Sequence, residues 1–385
     1  MADATATPSD SAAPTGIVEH RFPCPSCGSD MRFLPGSTRL LCDHCGHEEA
    51  IAGSDEDGPW QARDGMVELD FEAALRDALP EAEIEETRVV QCTSCGAQVE
   101  FDPAEHAAEC PFCASPIVTD TGAHRHIKPA GLLPFAISEE EARSAMTRWL
   151  GRLWFAPNGL KDYARKGRRM QGIYAPYWTY DADTATRYRG RRGTVYTEQR
   201  PVRVMVDGKA RTRMQTVQKV RWRKVSGRVA RFFDDVLVLA STSLPKAYTD
   251  RIAPWDLSAM EPYQPAFLAG FRAEGYTVPL EDGYREARQI MQAMITRDVK
   301  FDIGGDRQDI TAMETDVRDV TFKHVLLPIW VAAYKYRGRT YRFVVNGRTG
   351  AVEGERPFSA IKITIAVILG LLAAAALGYI MATSQ

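Results

Sequence analysis

Apolar residues follow three different rhythms along this chain. The twenty residues from Ile363 to Ala382 carry no charge. At about 1.5 Å per residue such a run reaches roughly 30 Å, the thickness of a bilayer's hydrocarbon core, so 361–382 is expected to be a transmembrane helix. Helical spacing appears behind Ser138 and Glu141, a capping box, where Ala142, Met146, Trp149, Leu150 and Leu153 share a face up to Pro157-Asn158-Gly159. Ala287, Ile290, Met291 and Met294 give a second helix over Tyr284 to Arg297, and further helix is expected around Trp255 to Arg272. A short helix is expected over Val67 to Leu79, stopped by Pro80. The third rhythm is that of strands. Gly172 to Ser226 reads as β, with Val202–Val206 and Lys209–Met214 joined by Asp207-Gly208 in a type I′ hairpin. Lys209, Arg211 and Arg213 would then alternate onto one face.

Asp234 to Ala240 is an apolar run with the look of a buried strand, and Ile303-Gly304-Gly305-Asp306 reads as a turn. Tyr341–Val345, Asn346-Gly347 and Arg348–Val352 form a second expected hairpin. Leu327-Pro328-Ile329-Trp330 echoes Ala175-Pro176-Tyr177-Trp178, which predicts two related β units.

Charge and composition change this picture in four places. The 385 residues carry a formal net charge of only -2, so the molecule as a whole is not a polycation. Residues 1–19 are rich in Ala, Ser, Thr and Pro, with no basic or apolar leader, and are expected to be disordered and not secretory. Residues 51–90 form an acidic linker with the short helix inside it. Arg187 to Arg231 holds fifteen Lys and Arg against Glu198 and Asp207. That surface suits nucleic-acid phosphates, anionic headgroups or an acidic protein. Arg356 and Lys362 just before the apolar run place the bulk of the chain in the cytoplasm, as a single-pass, tail-anchored protein of the inner membrane. Gly370, Ala374 and Gly378 form a small-residue stripe on which another helix could close, although Ala/Gly-rich spans are common.

All eight cysteines lie in four Cys-x-x-Cys pairs: Cys24 and Cys27, Cys42 and Cys45, Cys92 and Cys95, Cys110 and Cys113. Fourteen residues separate the pairs within each set, so the arrangement is an internal repeat. Each pair aims two thiolates at one point, and two pairs close a tetrahedral four-cysteine zinc site. Two structural Zn2+ sites with no open coordination position are expected. Redox dithiols are the competing chemistry, but they call for a βαβ context, and structural disulfides do not suit the cytoplasm. His20, His44, His47 and His106 lie near the cysteines and are not required as ligands. His124 and His126 read as strand or loop.

No phosphate-binding loop, dinucleotide fingerprint, zinc-protease helix motif or nucleophile elbow is present. Asp234, Asp235, Asp302, Asp306 and His324 are the groups from which a cleft with acid/base chemistry could be assembled, although carboxylates beside Gly are usually turn formers. The expectation is therefore of no catalytic residues, with an enzyme built on Asp302, Asp306 and His324 as the weakest alternative.

In order, the paired ribbons, APYWTYD, VSGRVARFFDDVLVLASTSLP, PWDLSAMEPYQPAFLAGFRAEGY, DIGGDRQDI, TFKHVLLPIWVAAYKYRG, VNGRTG and GERPFS resemble a bacterial family of TFIIB-type zinc-ribbon-containing proteins. Its members are often loosely labelled primosomal protein N′ or helicase-like. A helicase motor needs a phosphate-binding loop, so that label does not suit this chain. The resemblance implies a membrane-associated protein with no catalytic residues to carry over. It implies links to SPFH/flotillin-like and phage-shock-protein-A-type partners, and zinc at the eight cysteines. The expected fold is a multidomain α+β chain. Two four-cysteine zinc ribbons (20–50 and 91–120) precede a mixed α+β domain rich in antiparallel hairpins (121–358) and the C-terminal transmembrane helix. The expected function is a membrane-anchored cytoplasmic scaffold or adaptor, with a membrane-tethered nucleic-acid-binding protein as the alternative.

Overall fold

A computed structural model of the chain describes residues 22–52, 66–100 save 93 and 95, 107–118 save 111, 113 and 114, 122–157, 170–206, 209–336, 339–356 and 358–383. The first cysteine set lies on a small antiparallel sheet of β1 (Arg32–Phe33), β2 (Arg39–Leu41) and β3 (Glu48–Ala50). Next come β4 (Leu69–Asp70) and the single-turn α1 (Phe71–Leu75), which Asp70 caps by accepting from the Ala73 N–H at 2.6 Å. The second set is carried by β5 (Ile84–Gln91), β6 (Gln98–Glu100), β7 (Ala107–Glu109), β8 (Pro116–Val118) and β9 (Gly122–Ile127). After β10 (Gly131–Leu132) comes α2 (Glu139–Arg152), which opens on the expected capping box at Ser138 and Glu141.

Three very long strands follow. They are β11 (Gln171–Val206), β12 (Lys209–Leu239) and β15 (Arg307–Tyr336), of 36, 31 and 30 residues. Between β12 and β15 lie α3 (Lys246–Thr249), β13 (Glu261–Pro262), β14 (Arg272–Ala273) and α4 (Leu280–Ile303). The chain closes with β16 (Arg339–Asn346), β17 (Val352–Gly354) and α5 (Ala360–Thr383). The main sheet runs β12-β11-β15-β10-β13, with β16 and β17 added beside β15 and short partners β4 and β14. The expected hairpin over Asp207-Gly208 is present, since Val206 pairs with Lys209; the turn itself lies outside the described residues. The two echoing motifs lie side by side, antiparallel, with Tyr174 opposite Pro328 and Pro176 opposite Leu326.

One end of this sheet, its root, is buried on both faces. Successive strand residues point to opposite sides. Ile173, Ala175 and Tyr177 therefore pack with Cys92, Ala97, Cys110 and Phe112 of the second cysteine region. Tyr174, Leu326 and Trp330 on the other side pack with Phe33, Leu40 and Cys42 of the first. The two cysteine regions thus clasp the root from opposite faces. Burial on both sides explains why APYWTYD reads as a nearly unbroken apolar run.

Further along the blade, α4 covers one face with Ala287, Met291, Ile295, Val299 and Ile303, spaced four apart. Trp178 and Tyr180 pin its start, donating to the carbonyls of Val278 (3.0 Å) and Leu280 (2.7 Å). The helix end needs Gly190. A Cβ there would lie 2.7 Å from the Asp309 carbonyl oxygen and 2.9 Å from Ile303 Cδ1. Gly190→Ala should lower stability by about 1–3 kcal/mol, read as an earlier denaturation midpoint.

β15 begins at Arg307, opposite Gly193. Beyond it β11 and β12 continue alone as a two-stranded arm from Thr194 to the Val206–Lys209 pair. Thirteen pairs at about 3.3 Å make this arm about 43 Å long. By register, positions 200, 209, 211, 213, 219 and 221 share one face, and all six are Lys or Arg. Glu198 bridges Lys219 and Arg200 there, and Arg221 lies over the Tyr196 ring at 5.3 Å. From the arm's tip to Gln171 at the root is thirty-five residues of β11, about 115 Å of strand.

Three expectations need correction. Trp255 to Arg272 is not helical. It holds two short 3₁₀ turns, the edge strand β13 and the start of β14, because Pro262 and Pro265 interrupt any helical ladder. Val67 to Leu79 gives one helical turn, because Leu69 is drawn into the sheet opposite Phe322. Asn346-Gly347 does not form a two-residue turn. Asn346 Oδ1 accepts from the Arg348 and Thr349 N–H groups, and the loop closes at Gly350 with φ 72°.

α5 starts at the root. Ser359 N–H donates to the Phe155 carbonyl at 2.7 Å, and Lys362 Nζ donates to the Ala156 carbonyl at 2.8 Å. Within residues 360–381 an 18-residue window has a mean hydropathy of 2.4, and none of the residues in that window is buried.

Candidate metal centre

The described cysteines that open each pair sit in tight backbone turns. Gly28 N–H donates to the Cys24 carbonyl at 2.8 Å, and Cys24 N–H donates to the Ser29 carbonyl at 2.7 Å. The same two bonds recur at Cys42, with Gly46 and His47, and at Cys92, with Gly96 and Ala97. The glycine after the second cysteine has φ of 76°, 74° and 77° at positions 28, 46 and 96, a region in which side chains are strained. Cys110 N–H makes the corresponding bond to the Ser115 carbonyl at 2.8 Å.

In the first set the four Sγ atoms converge within 4.8 Å of one another. Cys24 and Cys45 sulfurs are 3.6 Å apart, and those of Cys27 and Cys42 are 3.5 Å apart. A tetrahedron with Zn–S bonds of about 2.3 Å has edges of about 3.8 Å, so the donor set fits zinc. Cys24 and Cys42 are buried, while Cys27 and Cys45 face solvent. The thiols also conflict over protons. The Ser29 backbone N–H, first among several hydrogen bonds, draws the Cys27 thiol down to about 6. The His47 backbone N–H works the same way at Cys45, but partial desolvation and the hydrogen bonds with three neighbouring thiols outweigh it and push Cys45 up to about 12. A divalent cation resolves that conflict by holding all four as thiolates. It would serve structure, since four protein sulfurs leave no position for water.

Of the second set, Cys92 and Cys110 are described and buried; Cys95 and Cys113 lie outside the described residues. Cys92 and Cys110 nevertheless belong to one apolar cluster, on turns built like those of the first set.

Asp302, Asp306 and His324 do not assemble. Asp302 accepts from the Tyr188 hydroxyl, and Asp306 accepts from the Val195 N–H at 2.7 Å, where β15 begins. His324 lies opposite Trp178, ten residues of β11 from Tyr188, or about 33 Å. Its Nδ1 bonds the Ile127 carbonyl at 2.8 Å, its ring packs on Trp178 and Tyr276, and burial pulls it down to about 4. It is therefore neutral at physiological pH. His124 and His126 lie on β9, as the reading of a strand there requires.

Asp234 and Asp235 do meet a third carboxylate, Asp181, at a bulge in β12, where these two residues lie opposite Asp181 alone. Lys323, 7 % exposed, reaches Asp235 at 2.9 Å, Glu68 at 3.0 Å and Asp181 at 3.2 Å. Asp181 also accepts from the Asp235 N–H, whose residue has φ 53°. Burial above all, with the Asp235 and Glu68 charges adding, raises Asp181 to about 6 against the pull of the Asp235 N–H and Lys323. The ammonium occupies the centre of this group, so it is a buried ion network. The sequence signal for it was a charge inside each apolar run, Asp181 in APYWTYD and Lys323 in TFKHVLLP.

No protein-family model matches the chain. It is similar to a Bacillus subtilis (strain 168) protein described as uncharacterized protein YdjG, 24% identical over 343 residues, which cover 89% of this chain and 91% of that one. No solved structure matches.

Proposed function

We propose that the chain is a membrane-anchored scaffold whose two cysteine regions are zinc ribbons. The observation that carries this is the shared root. Both cysteine regions, α2 and the start of α5 meet there. An apolar helix of this length with no residue of its apolar window buried needs a bilayer or partner helices around it. A bilayer holds the ribbons beside the membrane and lets the blade reach away from them. Zinc in a closed four-sulfur site has no reaction to perform, so what the ribbons offer is a rigid surface for protein partners, of the SPFH/flotillin-like or phage-shock-protein-A-type kinds that the family resemblance implies. The test is capture of cross-linked partners from detergent extracts of cells making the full chain or Cys24→Ser. Loss of specific partners in the variant is the expected result; an unchanged partner set sinks the scaffold reading.

The arm favours a second reading, binding of a nucleic acid, because six basic positions share one face over about 43 Å. The two readings separate in one titration. If the arm tracks phosphates, the affinity for duplex DNA falls with salt at a log–log slope near -5, from about 0.9 per contact. Arg213→Glu with Lys219→Glu then lowers that slope by about 2. The scaffold reading expects no such binding at physiological salt.

A further inference from the structure

A cavity of about 720 Å³ lies between the end of α2 and the first turns of α5. Its walls include Leu150, Leu153 and Trp154 on one side and Ile365, Ala366 and Leu369 on the other, with Lys362 also lining it. The α5 residues sit at i, i+3, i+4 and i+7, so the cavity follows one helix face for about 10 Å down its axis. The loop beyond α2 is fixed at this depth, because Phe155 and Ala156 hold Ser359 and Lys362. Trp154 is 78% exposed and Phe155 40%, an unusual cost in water for two adjacent aromatics. In the interfacial layer of a bilayer both are favourable.

We propose that this cavity is a phospholipid site: one acyl chain of an anionic glycerophospholipid lies between α2 and α5, and its phosphate meets Lys362 and Arg152. The occupant follows from the wall. If α5 enters the bilayer at Lys362, a groove running down to Leu369 opens onto lipid chains and not onto water. Lys362 uses one of its three donors on Ala156, and a phosphate can take another. Arg152, exposed in the last turn of α2, supplies the second positive charge. Trp154 stands at the mouth as the headgroup-level anchor. The inference rests on the membrane-anchor reading.

The test uses the full chain in nanodiscs containing phosphatidylglycerol with a photoreactive acyl chain. Label is expected on the peptide holding residues 150–157. Ala366→Phe, which fills the cavity from an exposed helix position, should lower that label about tenfold, the ratio for 1.4 kcal/mol, with labelling of the rest of α5 unchanged. Trp154→Phe should remove a fluorescence component that brominated lipids quench. Label confined to α5, indifference to Ala366→Phe, or cross-linking of α5 to a second copy in place of lipid would overturn the site. Release of the full chain from membranes by carbonate would overturn the anchor as well, so the two failures can be told apart.

Discussion

Cys42→Ser should remove one zinc per chain and unfold the first ribbon while the long sheet stays paired. Cys42 is fully buried, and its sulfur lies 3.5 Å from that of Cys27. Serine is a poor zinc ligand, and three remaining thiols do not close the site. β1, β2 and β3 have only two or three residues each, too short to persist as an isolated sheet. A structural zinc contributes on the order of 10 kcal/mol to such a unit, more than its few apolar contacts can replace. Unfolding would uncover Tyr174, Phe135 and Trp330, which pack against Phe33 and Leu40 in the wild type. The expected readings are a fall of one zinc equivalent by elemental analysis and new protease cleavage between residues 22 and 52. The long sheet holds its β11–β15 pairs independently of β1–β3, so strand content should barely change. Unchanged metal content would remove the zinc assignment.

The sequence made the first cysteine cluster legible because each of its two Cys-x-x-Cys-Gly pairs states its own turn and its own donors. The capping box at Ser138, the strand after Asp234 and the glycines at 304 and 305 were legible for the same reason: local geometry decides them. The length of the blade was not. Gly172 to Ser226 reads as β, but periodicity does not say that β11 runs unbroken for 36 residues or that β15 stops at Arg307 and leaves an arm. Those facts depend on which strands lie side by side. The same holds for the site. Asp302, Asp306 and His324 look close in sequence, yet strand geometry holds them apart, while Glu68, Asp181, Asp235 and Lys323 meet across separations that no local pattern spans.

That last group carries the other large effect. Lys323→Met should cost about 3–5 kcal/mol at pH 7.5, the range for breaking a buried ion pair and stranding the remaining charge. The carboxylates left behind are Asp181, 2% exposed at its side chain, and Asp235, each of which had Lys323 as a counter-charge. The pH dependence has a definite sign. Burial raises Asp181 to about 6 in the folded chain, against about 3.9 when unfolded. The folded state therefore binds the extra proton between those values, and this group's contribution to stability falls as pH rises through that window. Glu68 works the other way. Burial would raise it, but the hydrogen bonds from Lys323 and Thr321 prevail and lower it, so its contribution is present above the unfolded value and lost as pH falls. In Lys323→Met the opposing charge is gone, so Asp181 takes its proton at a still higher pH. The variant's deficit should then shrink as pH is lowered from 7.5 to 5, where Asp181 is neutral in both proteins. Lys323→Met with Asp181→Asn should recover part of the loss at pH 7.5, because the more deeply buried of the two stranded charges is no longer there. Denaturant midpoints of the three proteins at the two pH values give the answer. An equal deficit at both, or a double variant as unstable as the single, would mean that Lys323 matters for its packing and not for its charge.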